Sequence, residues 1–78
     1  RPAHEVIKRV AARHRMLVEE LLSPSRKHQV IAARFDAIVE VYQTCRIGER
    51  RLSLPEIGRP FRRDHTSILS ALRRRGVA

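Results

Sequence analysis

Proline and glycine constrain this chain more than any other feature. Pro24, Gly48, Pro55, Gly58, Pro60 and Gly76 cut it into short segments, because proline breaks or kinks a helix and glycine favours the turns between elements. Between the breaks, apolar residues recur at spacings of three and four, which is the helical period. The first segment runs from about His4 to His14 with Val6, Ile7, Val10 and Ala11 on one face, and a short second one carries Leu17, Val18, Leu21 and Leu22. The third and longest, from about Ser25 to Arg46, puts Val30, Ile31, Ala37, Ile38, Val41, Tyr42 and Cys45 on one stripe. Gly48 is its expected stop, since the residue past a helix end often takes the left-handed conformation that glycine adopts cheaply. Ile47 to Leu52 then read as a charged loop.

Ser53-Leu54-Pro55-Glu56 has the pattern of a capping box, in which the serine oxygen accepts from the Glu56 N–H and the glutamate reaches back to Ser53. A short helix carrying Leu54, Ile57 and Phe61 starts there, and Gly58 with Pro60 is expected to end it. Asp64 is the next N-cap, followed by His65, Thr66 and Ser67 in a first turn and by Ile68, Leu69 and Leu72 as a buried stripe. Helix, tight turn and helix are the parts of a helix-turn-helix, whose second helix reads bases in the major groove with its first residues. His65, Thr66 and Ser67 have no core duty, and the unpaired N–H groups at that end favour a phosphate oxygen. Asp64 can accept from cytosine N4 while it caps the helix. A packed helical hairpin with no ligand would use the same parts.

Charge weighs on this choice. Seventeen Lys and Arg against eight Asp and Glu give a net +9, and residues 46–78 carry the larger share, nine arginines against three acids. A polyanion partner accounts for clustered arginine, since duplex phosphates release counterions to it; a solvated basic surface is the plainer account. The single Cys45 excludes an intramolecular disulfide and sits four residues from Val41, as a core residue would. No apolar run approaches a membrane span, so a cytoplasmic protein with no membrane partner is expected. The 78 residues are enough for a single domain with a modest core. The sequence begins at Arg1 without an initiator Met, as a domain excised from a longer chain would.

The run Ser53-Leu54-Pro55-Glu56-Ile57-Gly58, then Phe61, then Arg63-Asp64-His65-Thr66-Ser67-Ile68-Leu69 resembles the C-terminal DNA-binding domain of the chromosomal replication initiator DnaA. The likeness continues upstream through Leu21-Leu22-Ser23, Arg26 and Arg34 to Val6. It implies an all-α, five-helix domain with a C-terminal helix-turn-helix of the Trp-repressor-like kind, and double-stranded DNA as partner. It also implies roles for single residues. Arg26, on the approach to the long helix, would enter the minor groove; Leu54 and Pro55 would touch thymine methyls; Asp64, His65 and Thr66 would read bases in the major groove. Ser67 would hold phosphate, as would Arg34 and Arg63. Two departures stand out. Arg62-Arg63 follow Phe61 directly where the family usually has Gly-Gly before its Arg-Asp-His, with one residue fewer, which predicts a tighter and more basic turn. Phe35 stands where the family has Gln.

Arg34 raises a question of its own. At about 100° per residue it falls inside the apolar stripe between Val30, Ile38 and Val41, where an unpaired guanidinium is costly. An anionic partner is expected, either a distant carboxylate or a DNA phosphate, because Asp36 and Glu40 lie on the opposite face. Arg50 and Arg51 are either phosphate contacts or solvated charge, and Arg73-Arg74-Arg75 suit the dipole at the end of the last helix, with DNA contact as the alternative.

Catalytic and metal chemistry find no support. His4-Glu5 opens a zinc-protease-like pattern, but Lys8 stands where the second histidine belongs. His14 and His28 lack partners at ligand spacing and read as surface residues, and Cys45 has no oxyanion site or orienting group beside it. No enzyme, no cofactor, no metal and no small-molecule substrate are expected, and the surplus of charge on so small a body argues for a monomer. Three function classes stay open: an initiator-type duplex reader acting at an origin, or a stand-alone relative regulating transcription; a basic RNA-binding module, weakened by the lack of aromatics for stacking; and a helical protein-docking domain.

Overall fold

The computed structural model describes residues 2–78. Five helices follow one another: α1 (Ala3–Arg13), α2 (Val18–Leu22), α3 (His28–Thr44), α4 (Leu54–Phe61) and α5 (His65–Arg74), with two-residue strands β1 (Arg46–Ile47) and β2 (Arg50–Arg51) between α3 and α4. The all-α class therefore holds, apart from this small hairpin. One apolar cluster joins the helices: Val6, Ile7, Val10 and Ala11 of α1, Leu21 of α2, Ala33, Ala37, Ile38 and Val41 of α3, Ile57 and Phe61 of α4, and Ile68, Ala71 and Leu72 of α5. These follow the stripes that the period of three and four marks, except that Ile31 and Leu69 are only half-buried and lie outside the cluster, Leu69 because it faces the Thr66 side of α5. Phe61 is fully enclosed, and burial of such a side chain is worth about 2 to 3 kcal/mol.

Leu17 departs from the expected pattern: it is 76% exposed, because α2 begins only at Val18 and Leu17 precedes it with an extended backbone. The start of α3 also moves, from Ser25 to His28. Here the serines compete with the helix for the backbone, as the Ser25 N–H donates to Ser23 Oγ (3.4 Å) and the Lys27 N–H to Ser25 Oγ (3.2 Å). Residues 23–27 thus stay outside both helices.

Gly48 does not stop α3. The helix ends at Thr44, Cys45 is buried with an extended backbone, and the chain turns back so that Arg46 pairs with Arg51 and Ile47 with Arg50. Gly48 takes φ +61° at the first central position of that turn, the place a two-residue hairpin reserves for glycine. What read as a charged loop is a hairpin.

Gly58 and Pro60 do not end α4 either. The helix passes through both to Phe61, and the left-handed residue is Arg62 (φ 59°, ψ 39°). The Arg63 N–H donates to Gly58 O (3.0 Å) and the Arg62 N–H to Arg59 O (3.1 Å), a Schellman closure. Glycine is needed at position 58 for another reason: a Cβ there would lie 2.3 Å from the Arg63 carbonyl oxygen. The turn between α4 and α5 therefore packs its backbone directly onto α4.

Candidate nucleic-acid interface

The geometry of α4 and α5 follows from their caps. Ser53 and Glu56 form the expected capping box, with the Glu56 N–H donating to Ser53 Oγ (3.3 Å) and the Ser53 N–H to Glu56 Oε1 (2.7 Å). Leu54 is half-buried against the core while Pro55 is exposed at the start of α4. Asp64 caps α5, accepting from the Ser67 N–H at 2.8 Å. That bond, then the Ser67 side chain, lowers the Asp64 pKa, so the carboxylate stays charged and adds to the cap.

The first turn of α5 is uncovered. Asp64, His65, Thr66 and Ser67 are all exposed, and the buried stripe begins at the next residue, Ile68. Further along, Thr66, Leu69, Ser70, Arg73 and Arg74 line a shallow groove on the same helix. Arg73 follows Thr66 by seven residues, two turns on and on the same face. The sequence leaves both the helix dipole and DNA contact open for it, and its spacing from Thr66 puts it on the candidate face.

Arg34 is buried, with 8% of its surface exposed, but no carboxylate among the described residues meets it. Its Nε donates to Leu21 O (3.2 Å), and its Nη2 to Ser23 O (2.6 Å) and Ser25 O (3.1 Å). The carboxylate alternative thus gives way to a cradle of three carbonyls, which the chain can supply because Leu21 is in the last turn of α2, where carbonyls lack a helical partner, and Ser23 and Ser25 lie outside both helices. Burial, then the nearby charge of Arg63, lowers the Arg34 pKa below its ordinary value. Arg34, Arg63 and Ser67 line one cleft between α3 and α5, together with Phe35 and Ile38. Arg26 lies exposed on the segment that Arg34 holds.

Other cations are spent within the fold. Arg50 makes a two-pronged pair with Glu56 (2.9 and 3.0 Å), and that contact, ahead of the capping bonds, drives the Glu56 pKa down to about 2. Arg51 lies 4.7 Å from the centre of the Tyr42 ring. Arg75 pairs with Asp36, donates to Ala32 O (3.1 Å) and lies over Phe35. His14, expected at the surface without a partner, is half-buried and its Nε2 meets Asp36 Oδ2 at 2.7 Å. The fold brings α1 and α3 together there, which spacing along the chain does not show. Among the described residues no group of His, Cys, Asp and Glu could hold a metal ion, and no helix is long and apolar enough to cross a membrane.

An uncovered first turn on a capped second helix, packed by its turn against a first, is the geometry of a helix-turn-helix. The family described as the bacterial dnaA protein helix-turn-helix matches residues 3–74, from the first residue of α1 to the last of α5. The chain belongs to that family. The resemblance seen in the Asp64 to Leu69 run therefore extends over the whole five-helix unit, and α4 and α5 are the dnaA-type helix-turn-helix. Domains of this family bind DNA and are not catalytic. No curated protein and no solved structure matches the chain.

Proposed function

We propose that this dnaA-type domain reads a specific sequence in double-stranded DNA, of the kind found as initiator boxes at a replication origin. The observation that supports it best is the bare first turn of α5, where four polar side chains in a row project from a capped helix end. In this reading α5 lies in the major groove with Asp64, His65 and Thr66 toward base edges, and Leu54 with Pro55 touch thymine methyls from the start of α4. Arg26 reaches the adjacent minor groove. Ser67 and Arg63 hold a phosphate at the mouth of their shared cleft, with Arg34 behind them adding its charge. Arg73 contacts the backbone two turns along α5.

The test is a titration of a labelled initiator-type duplex, a scrambled duplex and single-stranded RNA, each at several salt concentrations. The box is expected to win, and all binding to weaken steeply with salt as phosphate contacts are screened. Replacing His65 or Thr66 by Ala should cost about 1 to 3 kcal/mol on the preferred site and flatten discrimination at particular bases, whereas Ser67→Ala should weaken every duplex alike. Equal affinity for box and scramble refutes sequence reading; preference for RNA refutes the choice of partner.

A further inference from the structure

The segment between α2 and α3 carries Arg26, yet it belongs to neither helix. Besides the serine turns and the Arg34 bond to Ser25 O, what holds it is a pair of guanidinium groups meeting at one oxygen. Arg34 Nη2 donates to Ser23 O at 2.6 Å, and Arg63 Nη2 donates to the same Ser23 O at 3.0 Å. A carbonyl oxygen has two lone pairs and can accept both. The two arginines come from different places. Arg34 is in the middle of α3, whereas Arg63 is in the turn just before the N-cap of α5, with its own backbone fixed by the bond to Gly58 O.

This junction is costly. Two cations stand side by side with no acid between them, and the charge of Arg63 is one of the causes that lower the Arg34 pKa. Arg63 Nε is buried without a hydrogen-bond partner among the described residues, a loss that a turn built only for stability would avoid. What the arrangement does achieve is mechanical. It ties the backbone three residues before Arg26 to the backbone one residue before Asp64.

We infer that Arg63, together with Arg34, is a positioning residue that sets the Arg26 segment and the first turn of α5 as one unit. The two reading elements then meet the duplex with a fixed offset, and ordering Arg26 is not left to the moment of binding. Loss of the junction frees Arg26 without unfolding the core, since the side chain of Arg63 contributes nothing to the apolar cluster. The inference rests on the DNA reading above, in which Arg26 and α5 both contact bases.

Two measurements on the 78-residue chain test it together. The first is backbone NMR relaxation of the free protein: Arg63→Ala should lower the order of the Arg26 and Lys27 amides toward that of a flexible loop while those of Ile57 and Ile68 stay rigid. The second is a double-mutant cycle on a box duplex and on one altered at the minor-groove pairs. Arg26→Ala should reduce discrimination between them about tenfold in the original chain, but less than about twofold when Arg63 is already Ala. A direct phosphate contact alone would weaken both duplexes equally and leave the Arg26 effect intact. Arg63→Lys keeps charge and stem without the planar fork, so it replaces Arg63→Ala if that variant does not fold, with the same loosening expected. Unchanged order at Arg26, or effects of the two substitutions that simply multiply, overturns the positioning role and leaves DNA reading standing. No box preference in the original chain overturns the DNA reading, and the positioning role with it.

Discussion

The two ends of α5 are used in opposite ways. At the C-terminal end Arg75 is pinned by Asp36, the Ala32 carbonyl and the Phe35 ring, while His14 meets the other oxygen of Asp36, so α1, α3 and α5 are tied at one point. At the N-terminal end Asp64 to Ser67 are all exposed, and the bond from the Ser67 N–H to Asp64 stays within the cap of the helix itself. The chain thus spends its ion pairs where the helix must be held and leaves polar groups bare where a ligand must be met. Net charge does not reveal this division, because a cation with an internal partner offers little to a phosphate. Arg50 and Arg75 count fully toward +9, yet both are already paired.

The bare end depends on rigid support, and Gly58 is where that support is thinnest. With the Arg63 carbonyl oxygen 2.3 Å from the place a Cβ would occupy, Gly58→Ala must push the turn away from α4. The expected cost is about 3 kcal/mol, read from the shift in urea midpoint. Any folded remainder should also lose discrimination among duplexes, since the turn aims α5. A cost under about 0.5 kcal/mol would mean that the close approach does not support the reading end.

The pinned end should respond to a smaller degree and without touching recognition. Asp36→Ala removes the partner of both Arg75 and His14 and is expected to cost about 1 kcal/mol, modest because the pairs are partly open to water. Preference for one duplex over another should persist. Acid gives an independent reading. Burial by itself raises the Asp36 pKa, but hydrogen bonds from Arg75 and His14, helped by their charges, leave it lowered from 3.8. A carboxyl lowered in the folded state stabilises above its unfolded value and loses that contribution as pH falls through the folded one. Glu56 behaves likewise between 4.5 and about 2. Stability should therefore decline on acidification below about 4.5, with a shallower decline in Asp36→Ala. Equal slopes would show that the pinned end is not held by this carboxylate.

Which parts of the two ends were legible in the sequence follows from the range of the interactions. The capping box at Ser53, the N-cap at Asp64 and the stripe from Ile68 are set by neighbours within four residues, and the sequence shows them all. The family motif lies in the same stretch. The carbonyls that receive Arg34 are 9 to 13 residues away, and Ser23 is 40 residues from Arg63. No periodicity encodes such pairs. A sequence argument could state that Arg34 needed a partner, but not that main-chain oxygens would serve. Gly58 misled for a related reason: glycine near a proline commonly marks a helix end, whereas here it makes room for a backbone that returns from five residues on.

Arg62 offers the finest test of how the bare end is built. It holds the left-handed conformation at φ 59°, which costs a side-chain-bearing residue about 1 kcal/mol relative to glycine. In return its guanidinium reaches Glu19 on α2 at 3.4 Å, a pair so exposed that it recovers only a few tenths. Arg62→Gly should therefore raise stability by about 0.5 kcal/mol, with a small rise in the urea midpoint. If Arg62 serves the duplex, the same variant should bind every sequence more weakly and with a shallower salt dependence, while the order of preference among sequences stays the same. A stabilised variant with unchanged affinity would place Arg62 with Arg75, as a cation committed to the fold.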